Sequence, residues 1–395
     1  MNAPLDLPAL QAIRDIEADM LDARHQIHAR PELGFEEQAT SDLVAERLTR
    51  WGYQVHRGLG KTGVVGTLRA GNGPKRLGLR ADMDALPIVE NTGRPWASQV
   101  LGKMHACGHD GHTAMLLGAA RHLAATQAFD GTLHVVFQPA EEGLGGARVM
   151  IEDGFFDLFP CDAMFAMHNM PGLPVGQLGF IDGPAMASSD TAVITVRGKG
   201  GHGAMPQAAV DPVVVASSIV MALQTIVSRN VPPLDMAIIT VGAFHAGTTF
   251  NVIPETAELK LTIRALRPAV RDQLQQRITE LAQAQAAVYG ATADVFYERR
   301  YPVLVNHDEP TRFARQVALD WVGEAGVMPH LQPLTGSEDF AFFLERCPGS
   351  YLLIGNGVDQ AEGGCMVHNP GYDFNDRNLG TGASYWVKLA QAFLK

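Results

Sequence analysis

Cysteine is scarce in this chain: four residues among 395, at Cys107, Cys161, Cys347 and Cys365. So few thiols at irregular spacing exclude a disulfide framework and point to a reduced, cytoplasmic protein. Basic residues are also short, with 31 Lys and Arg against 42 Asp and Glu and a formal charge of −11. No Lys/Arg block offsets that balance, so no nucleic-acid partner is expected. The same acidity repels anions at long range, and a carboxylate-bearing substrate therefore needs a local arginine. No apolar run reaches the roughly 18 residues of a membrane span, and no charged region followed by an apolar core marks a signal peptide. No membrane partner is expected. Internal repeats and low-complexity tracts are missing as well.

What remains is an ordinary globular composition, 46% hydrophobic and 18% charged, long enough for two domains with cores of their own. Helical spacing from Leu7 to about Ala29 is followed by a second amphipathic helix over residues 37–51. Short β-like runs come next at 53–56, 63–68 and 76–80, the last leading into Asp82 and Asp84. Asp110 stands where a helix N-cap belongs. Beyond that helix the run 132–138 ends in Glu141-Glu142, and 163–167 ends in His168. Alternating helices and nearly all-apolar strands predict an α/β domain with a mostly parallel sheet covered on both faces. Ligands gather outside the carboxyl ends of such strands, which places Asp82, Asp84, Glu141, Glu142 and His168 on one rim with Cys107 and His109.

The pattern changes near Ala187. Residues 191–197 alternate, Asp211-Pro212 opens a helix to about Arg229, and strands follow at 235–244 and 256–265. A helix at 269–289 and a strand at 293–297 complete the order β-α-β-β-α-β, the ferredoxin-like split βαβ arrangement. The prediction is a catalytic domain of residues 1–186 and 301–395, interrupted by a small inserted domain of residues 187–300. Within the insert, Leu259, Leu261, Ile263 and Ala265 form a buried face, which leaves Lys260, Thr262 and Arg264 on the uncovered side of the sheet.

The stretch Met104-His105-Ala106-Cys107-Gly108-His109-Asp110-Gly111-His112 gathers thiol, imidazole and carboxylate groups on a segment that glycine lets bend sharply. Cys107 and His109 are ligand types that zinc and similar borderline metals favour. A buried structural Cys with a capping His, or a Cys nucleophile with a His base, stay open at this point, although the nucleophile leaves the acidic strand ends unexplained. The adjacent carboxylates of Glu141 and Glu142 point to different sides. One can bind metal while the other takes a proton from the reacting water and hands it to a leaving amine. Asp82 and Asp84 are candidate ligands or orienting partners of a ligand histidine. Among 14 histidines, His168 at a strand end and His368 in a Pro/Gly-flanked loop are candidate ligands, while His105, His112 and His134 read as structural.

Arg24-His25-Gln26-Ile27-His28-Ala29-Arg30-Pro31-Glu32-Leu33, Arg80-Ala81-Asp82-Met83-Asp84-Ala85-Leu86-Pro87, and the stretches 104–113, 137–143 and 200–204 together resemble the aminoacylase/carboxypeptidase G family of dinuclear metallohydrolases. More narrowly, the chain is similar to the branch of N-acyl-amino-acid amidohydrolases that includes hippurate hydrolases and plant auxin-conjugate hydrolases. The resemblance implies a catalytic domain of zinc-peptidase type and an inserted lid domain that dimerises. It implies that Cys107, His109, Glu142, His168 and His368 bind two divalent metal ions, with Cys107 where many relatives place a bridging Asp. Zinc suits that set, with manganese, cobalt or nickel as alternatives. Glu141 is implied as catalytic base. A His-x-Asp motif of other branches reads Asp82-Met83-Asp84 here, which leaves Asp84 behind the ligands as an orienting group.

By the same resemblance, His202 reaches across the dimer interface to stabilise the tetrahedral oxyanion. Asn251 and Arg264 hold the substrate's α-carboxylate, in agreement with Arg264 on the uncovered sheet face. The expected reaction is metal-dependent hydrolysis of the amide bond of a small N-acyl-L-amino acid, hippurate-like or N-acetylated, by a homodimer. Two rivals follow. A dipeptidase or aminopeptidase on the same dinuclear site would prefer a free α-amine, and a non-catalytic binding protein would lack ligands or base.

Overall fold

The computed structural model describes residues 9–395. They form two compact units. The first comprises the described residues up to Gly183 with Val305–Gln332 and Phe342–Lys395, and the second comprises Pro184–Leu304 with Pro333–Ala341. The segment Pro333–Ala341 is thus a departure from the expected division, which gave all of 301–395 to the catalytic domain. Backbone bonds explain the change: the Ala187 N–H donates to the carbonyls of Leu334 and Gly336, and Arg264 Nη1 donates to Ser337 Oγ at 3.0 Å.

In the first unit a seven-stranded sheet runs, in spatial order, Gln54–Arg57, Val64–Ala70, Gly131–Gln138, Arg76–Asp82, Ala163–Pro171, Gly349–Gly357 and Leu178–Phe180. The α/β domain built on a largely parallel sheet is as expected. The central four strands pair in parallel, and the pairs toward both edges are antiparallel, which makes the sheet mixed. The central strands are buried almost throughout, as expected where helices cover both faces. Helices Glu17–Ala29, His109–Thr126 and Asn378–Phe393 contribute Met20, Met115, Leu116, Leu123, Leu379 and Trp386 to one core. The long first helix expected from Leu7 begins outside the described residues, and within them it breaks at Asp15 and Ile16 into Gln11–Arg14 and Glu17–Ala29.

In the second unit the strands Ser189–Arg197, Ala237–Ala246, Thr256–Ala265 and Thr292–Tyr301 alternate with helices Pro212–Arg229 and Pro268–Val288. All sheet pairs are antiparallel, and the order is the βαββαβ ferredoxin-like one. Thr256–Ala265 buries every second residue, with Leu259, Leu261 and Ile263 in the core and half-buried Arg264 on the other face. Helix Pro212–Arg229, 18 residues of mean hydropathy 1.5, is long and apolar enough to cross a membrane by length and composition, although Ser217, Ser218, Gln224, Thr225 and Ser228 interrupt its apolar run. Its Val215, Ala216, Ile219, Leu223 and Ile226 form a stripe buried in the core of this unit.

Candidate metal centre

Three parallel neighbours, Arg76–Asp82, Gly131–Gln138 and Ala163–Pro171, end at one rim of the first unit's sheet. Asp82 and Asp84, then Glu141 and Glu142, sit at or just past the ends of the first two, and His168, inside Ala163–Pro171, lies level with Asp82. The turn before helix His109–Thr126 brings Cys107 and His109 to the same rim. That turn requires glycine at 108. Its φ is +89°, and a Cβ there would meet Asn169 Nδ2 at 2.3 Å and the Tyr372 hydroxyl at 2.4 Å. Asn169 in turn braces the turn, donating from Nδ2 to the Cys107 carbonyl at 2.7 Å while the Tyr372 hydroxyl donates to its Oδ1.

Hydrogen bonds fix which nitrogen of each histidine faces the rim. His109 Nδ1 donates to Asp84 Oδ1 at 3.2 Å, which leaves Nε2 buried with no hydrogen-bond partner among the described residues. His168 Nδ1 donates to the Asn169 carbonyl at 2.6 Å, and its Nε2 faces Cys107 Sγ at 3.4 Å. His368 Nε2 lies 3.2 Å from Glu142 Oε1. The donor atoms of Cys107, Glu142 and His368 fall within 4.8 Å of one another, as do those of His109, Glu141 and Glu142. A further cluster joins Asp82, His109, His112 and His168. There His112 is fully engaged: Nδ1 donates to Asp82 Oδ1 at 2.6 Å and Nε2 accepts the Asn169 N–H at 3.0 Å. Asp82 also takes Arg80 Nη1 at 2.7 Å. His112 and Asp82 therefore brace the site from behind.

Charge at the rim calls for a cation. Burial, then the Glu142 and Glu141 carboxylates, push the Cys107 thiol well above its ordinary range. Burial opposes charge on His109, yet Asp82 and Asp84 raise it to about 10, so the site attracts positive charge at Nε2, whether a proton or a metal ion. His168 is held well below the usual imidazole range by burial and by His112, as suits a neutral ligand. A buried imidazole nitrogen with no hydrogen bond among the described residues, only Asp82 Oδ2 at 3.7 Å, together with a thiol and crowded carboxylates makes the donor set of borderline divalent metals. The residues fit.

Asp84 lies behind this set as an orienting group. Besides His109 it accepts the backbone N–H of Glu141 at 3.0 Å and of Glu142 at 2.9 Å, one on each oxygen. Asp110 does not cap its helix: the N-cap position is Gly108, and Asp110 is fully buried, accepting Arg24 Nε and His28 Nδ1 at 2.8 Å each. Arg24 also pairs with Asp373 and Asp376. Apolar periodicity gave no sign of this cluster, because its members come from three separate stretches of chain.

Within the second unit, His202 belongs to a short strand, Gly201–His202, paired antiparallel with Val252–Ile253, rather than to a free loop. The pairing brings His202 beside Asn251, whose carbonyl accepts the Gly203 N–H at 2.8 Å. Both side chains are exposed. His202 Nδ1 accepts the Ala204 N–H at 3.1 Å, so the ring proton resides on Nε2. Arg264 is half-buried and held by Ser337.

Known proteins share the sequence pattern and fold of this chain. The sequence pattern of peptidase family M20/M25/M40 matches residues 78–392. The chain is similar to hippurate hydrolase of Campylobacter jejuni, 46% identical over 97% of this chain and 98% of the relative. It is also similar to N-acetyl-L-cysteine deacetylase of Bacillus subtilis, 39% identical over 94% and 87%. Among solved structures, a Bacillus subtilis dinuclear metal-binding peptidase of the M20 family superposes with a TM-score of 0.84 at 32% identity, over 96% of this chain and 99% of that one.

Proposed function

We propose, for a chain that belongs to peptidase family M20/M25/M40, hydrolysis of the amide bond of N-acyl-L-amino acids to a carboxylic acid and a free amino acid. The observation that carries this reading is the pairing of a divalent-metal donor set, with Cys107, His109 and His168 buried, Glu142 half-buried and His368 exposed, with a buried carboxylate, Glu141, beside it. Hippurate is N-benzoylglycine, so the two relatives act on N-acyl amino acids that differ in both halves, and the cleaved amide is what they share.

Cys107, His109, Glu142, His168 and His368 would hold two divalent ions. Zinc suits the thiolate and imidazoles best, with manganese, cobalt or nickel as alternatives. When bound, such ions polarise a carbonyl and acidify water. Glu141 accepts the proton of the attacking water and delivers it to the departing amine nitrogen. His202, with its proton on Nε2, donates to the oxyanion that develops on the acyl oxygen. Arg264 binds the α-carboxylate through charge-assisted hydrogen bonds, Asn251 adds an amide contact, and together they supply the local attraction that an acidic protein needs. The working form in this proposal is a cytoplasmic homodimer assembled through the second unit, and the four free thiols accord with a reducing compartment.

The test is metal content after chelator-free purification, with hydrolysis of hippurate, N-acetyl-amino acids and unblocked dipeptides assayed before and after chelation and metal add-back. Near two metals per chain, with acyl-amino-acid hydrolysis lost and restored, is the expected result. Undiminished activity after complete metal removal would overturn the reading and return Cys107 to consideration as a nucleophile. Preference for unblocked dipeptides would replace the amidohydrolase with a peptidase.

A further inference from the structure

The turn that carries Glu141 is gripped from a direction the mechanism does not use. Ala140, fully buried, adopts φ +54°, a left-handed conformation that L residues seldom take. Its N–H donates to Glu37 Oε1 at 2.8 Å, and its carbonyl accepts the Gly146 N–H at 2.9 Å. The next two N–H groups, of Glu141 and Glu142, go to the two oxygens of Asp84. Three consecutive amides are thus held by two buried carboxylates, first Glu37 and then Asp84.

The segment that supplies Glu37 is shaped for the task. The amides of Ala39 and Thr40 at the start of helix Gln38–Arg50 are bound by the Glu32 carboxylate at 2.9 Å each. Glu37, the N-cap residue, is thereby free to turn its own side chain inward. It is fully buried, and its second oxygen accepts the Thr62 hydroxyl at 2.6 Å. Gly34 allows the close approach, since a Cβ there would meet Ala140 Cβ at 3.0 Å. The Glu32 carbonyl accepts the Ala85 N–H at 2.8 Å, so residues 32–37 tie the Asp84 arm of the site to the Glu141 arm.

We infer that Glu37 is a positioning residue for the reaction: by holding Ala140 in its left-handed turn it fixes the aim of the Glu141 carboxylate. The inference rests on the reading of Glu141 as the base. Burial lifts the Glu37 carboxyl to about 7. Its grip on Ala140 needs only an acceptor oxygen, which carboxylate, acid and amide all provide. Glutamine is therefore the conservative replacement, with Oε1 on the Ala140 N–H and its amide facing the Thr62 oxygen.

The experiment compares Glu37→Gln, Glu37→Ala and the shortened Glu37→Asp as metal-loaded enzymes, with kcat, KM and metal per chain read for each. The expected result is kcat lowered about 10- to 100-fold in Glu37→Ala, with KM within about twofold, metal content unchanged and kcat recovered in Glu37→Gln. If Glu37→Ala does not fold, Glu37→Asp, which withdraws the acceptor but keeps a buried carboxyl group, shows the same loss in kcat. In a Glu141→Gln background Glu37→Ala adds less than about a twofold further loss, as expected of coupled residues. Wild-type kcat in Glu37→Ala, loss of metal in step with activity, a Glu37→Gln enzyme as slow as Glu37→Ala, or an equal loss in the Glu141→Gln background would each overturn it. A fully active Glu141→Gln enzyme would instead refute the base assignment, which separates the two failures.

Discussion

The residues proposed to act on the substrate belong to two regions built in opposite ways. At the rim of the first unit, Cys107, His109, Glu141 and His168 are buried, Glu142 is half-buried and His368 is exposed, and His109 and His168 are each fixed by a hydrogen bond from the nitrogen that faces away. In the second unit His202 and Asn251 are exposed, and each is held through neighbouring backbone or a single short contact. A donor set for a cation gains from having most of its members pre-organised, because donors that relax lose affinity and selectivity. Groups that meet a substrate must first be open to it. The difference predicts that the buried region fails all at once when one member is removed, and that the exposed region fails by degrees.

The largest effect is expected at the buried rim. His109→Ala removes an imidazole whose Nε2 makes no hydrogen bond among the described residues and leaves Asp84 without the Nδ1 donor. Metal content and hydrolysis should fall together to background, read by elemental analysis and hippurate turnover. His202→Ala should leave metal content untouched while kcat drops about 10²- to 10³-fold, the scale of one oxyanion donor. Steady-state kinetics on the metal-loaded enzyme would show whether the loss is in kcat, as expected, or in KM.

A third effect belongs to the buried cluster of Arg24, His28 and Asp110. Burial disfavours charge on His28, but Asp110 outweighs it and raises the imidazole to about 9. A raised pKa stabilises the fold below the unfolded-state value near 6.5, and that stability is lost as pH climbs toward 9. The stability difference between wild type and His28→Gln should therefore shrink across that window, by at most about 3 kcal/mol. Denaturant melts at pH 6 and 9.5 would test it, and a difference independent of pH would contradict it. The smallest effect is expected at Arg264→Ala, which removes one charge-assisted contact. KM for hippurate should rise about 10- to 100-fold with kcat little changed.

Much of the rim could be read from the sequence, because apolar strands that end in Asp, Glu or His announce themselves by composition. Assignment of the five metal ligands came from resemblance to a family, since spacing alone left Cys107 open to other roles. Other features escaped for a physical reason: they depend on partners far away in the chain. Asp110 looked like a helix cap from its neighbours, yet its partner Arg24 lies 86 residues away. Glu37 read as an ordinary helix start, although its acceptor oxygen serves an amide 103 residues on. The antiparallel edges were missed because short strands such as Gln54–Arg57 carry no mark of the direction in which they pair. The segment Pro333–Ala341 was misassigned because chain order says nothing of which core a loop returns to.

The central claim, a metal-dependent hydrolase with Glu141 as its proton carrier, is tested most directly by Glu141→Gln. The variant should be loaded with metal and assayed for hippurate hydrolysis beside its metal content. Near two metals per chain with kcat reduced about 10²- to 10⁴-fold is the predicted result. Full metal content with wild-type turnover would contradict it.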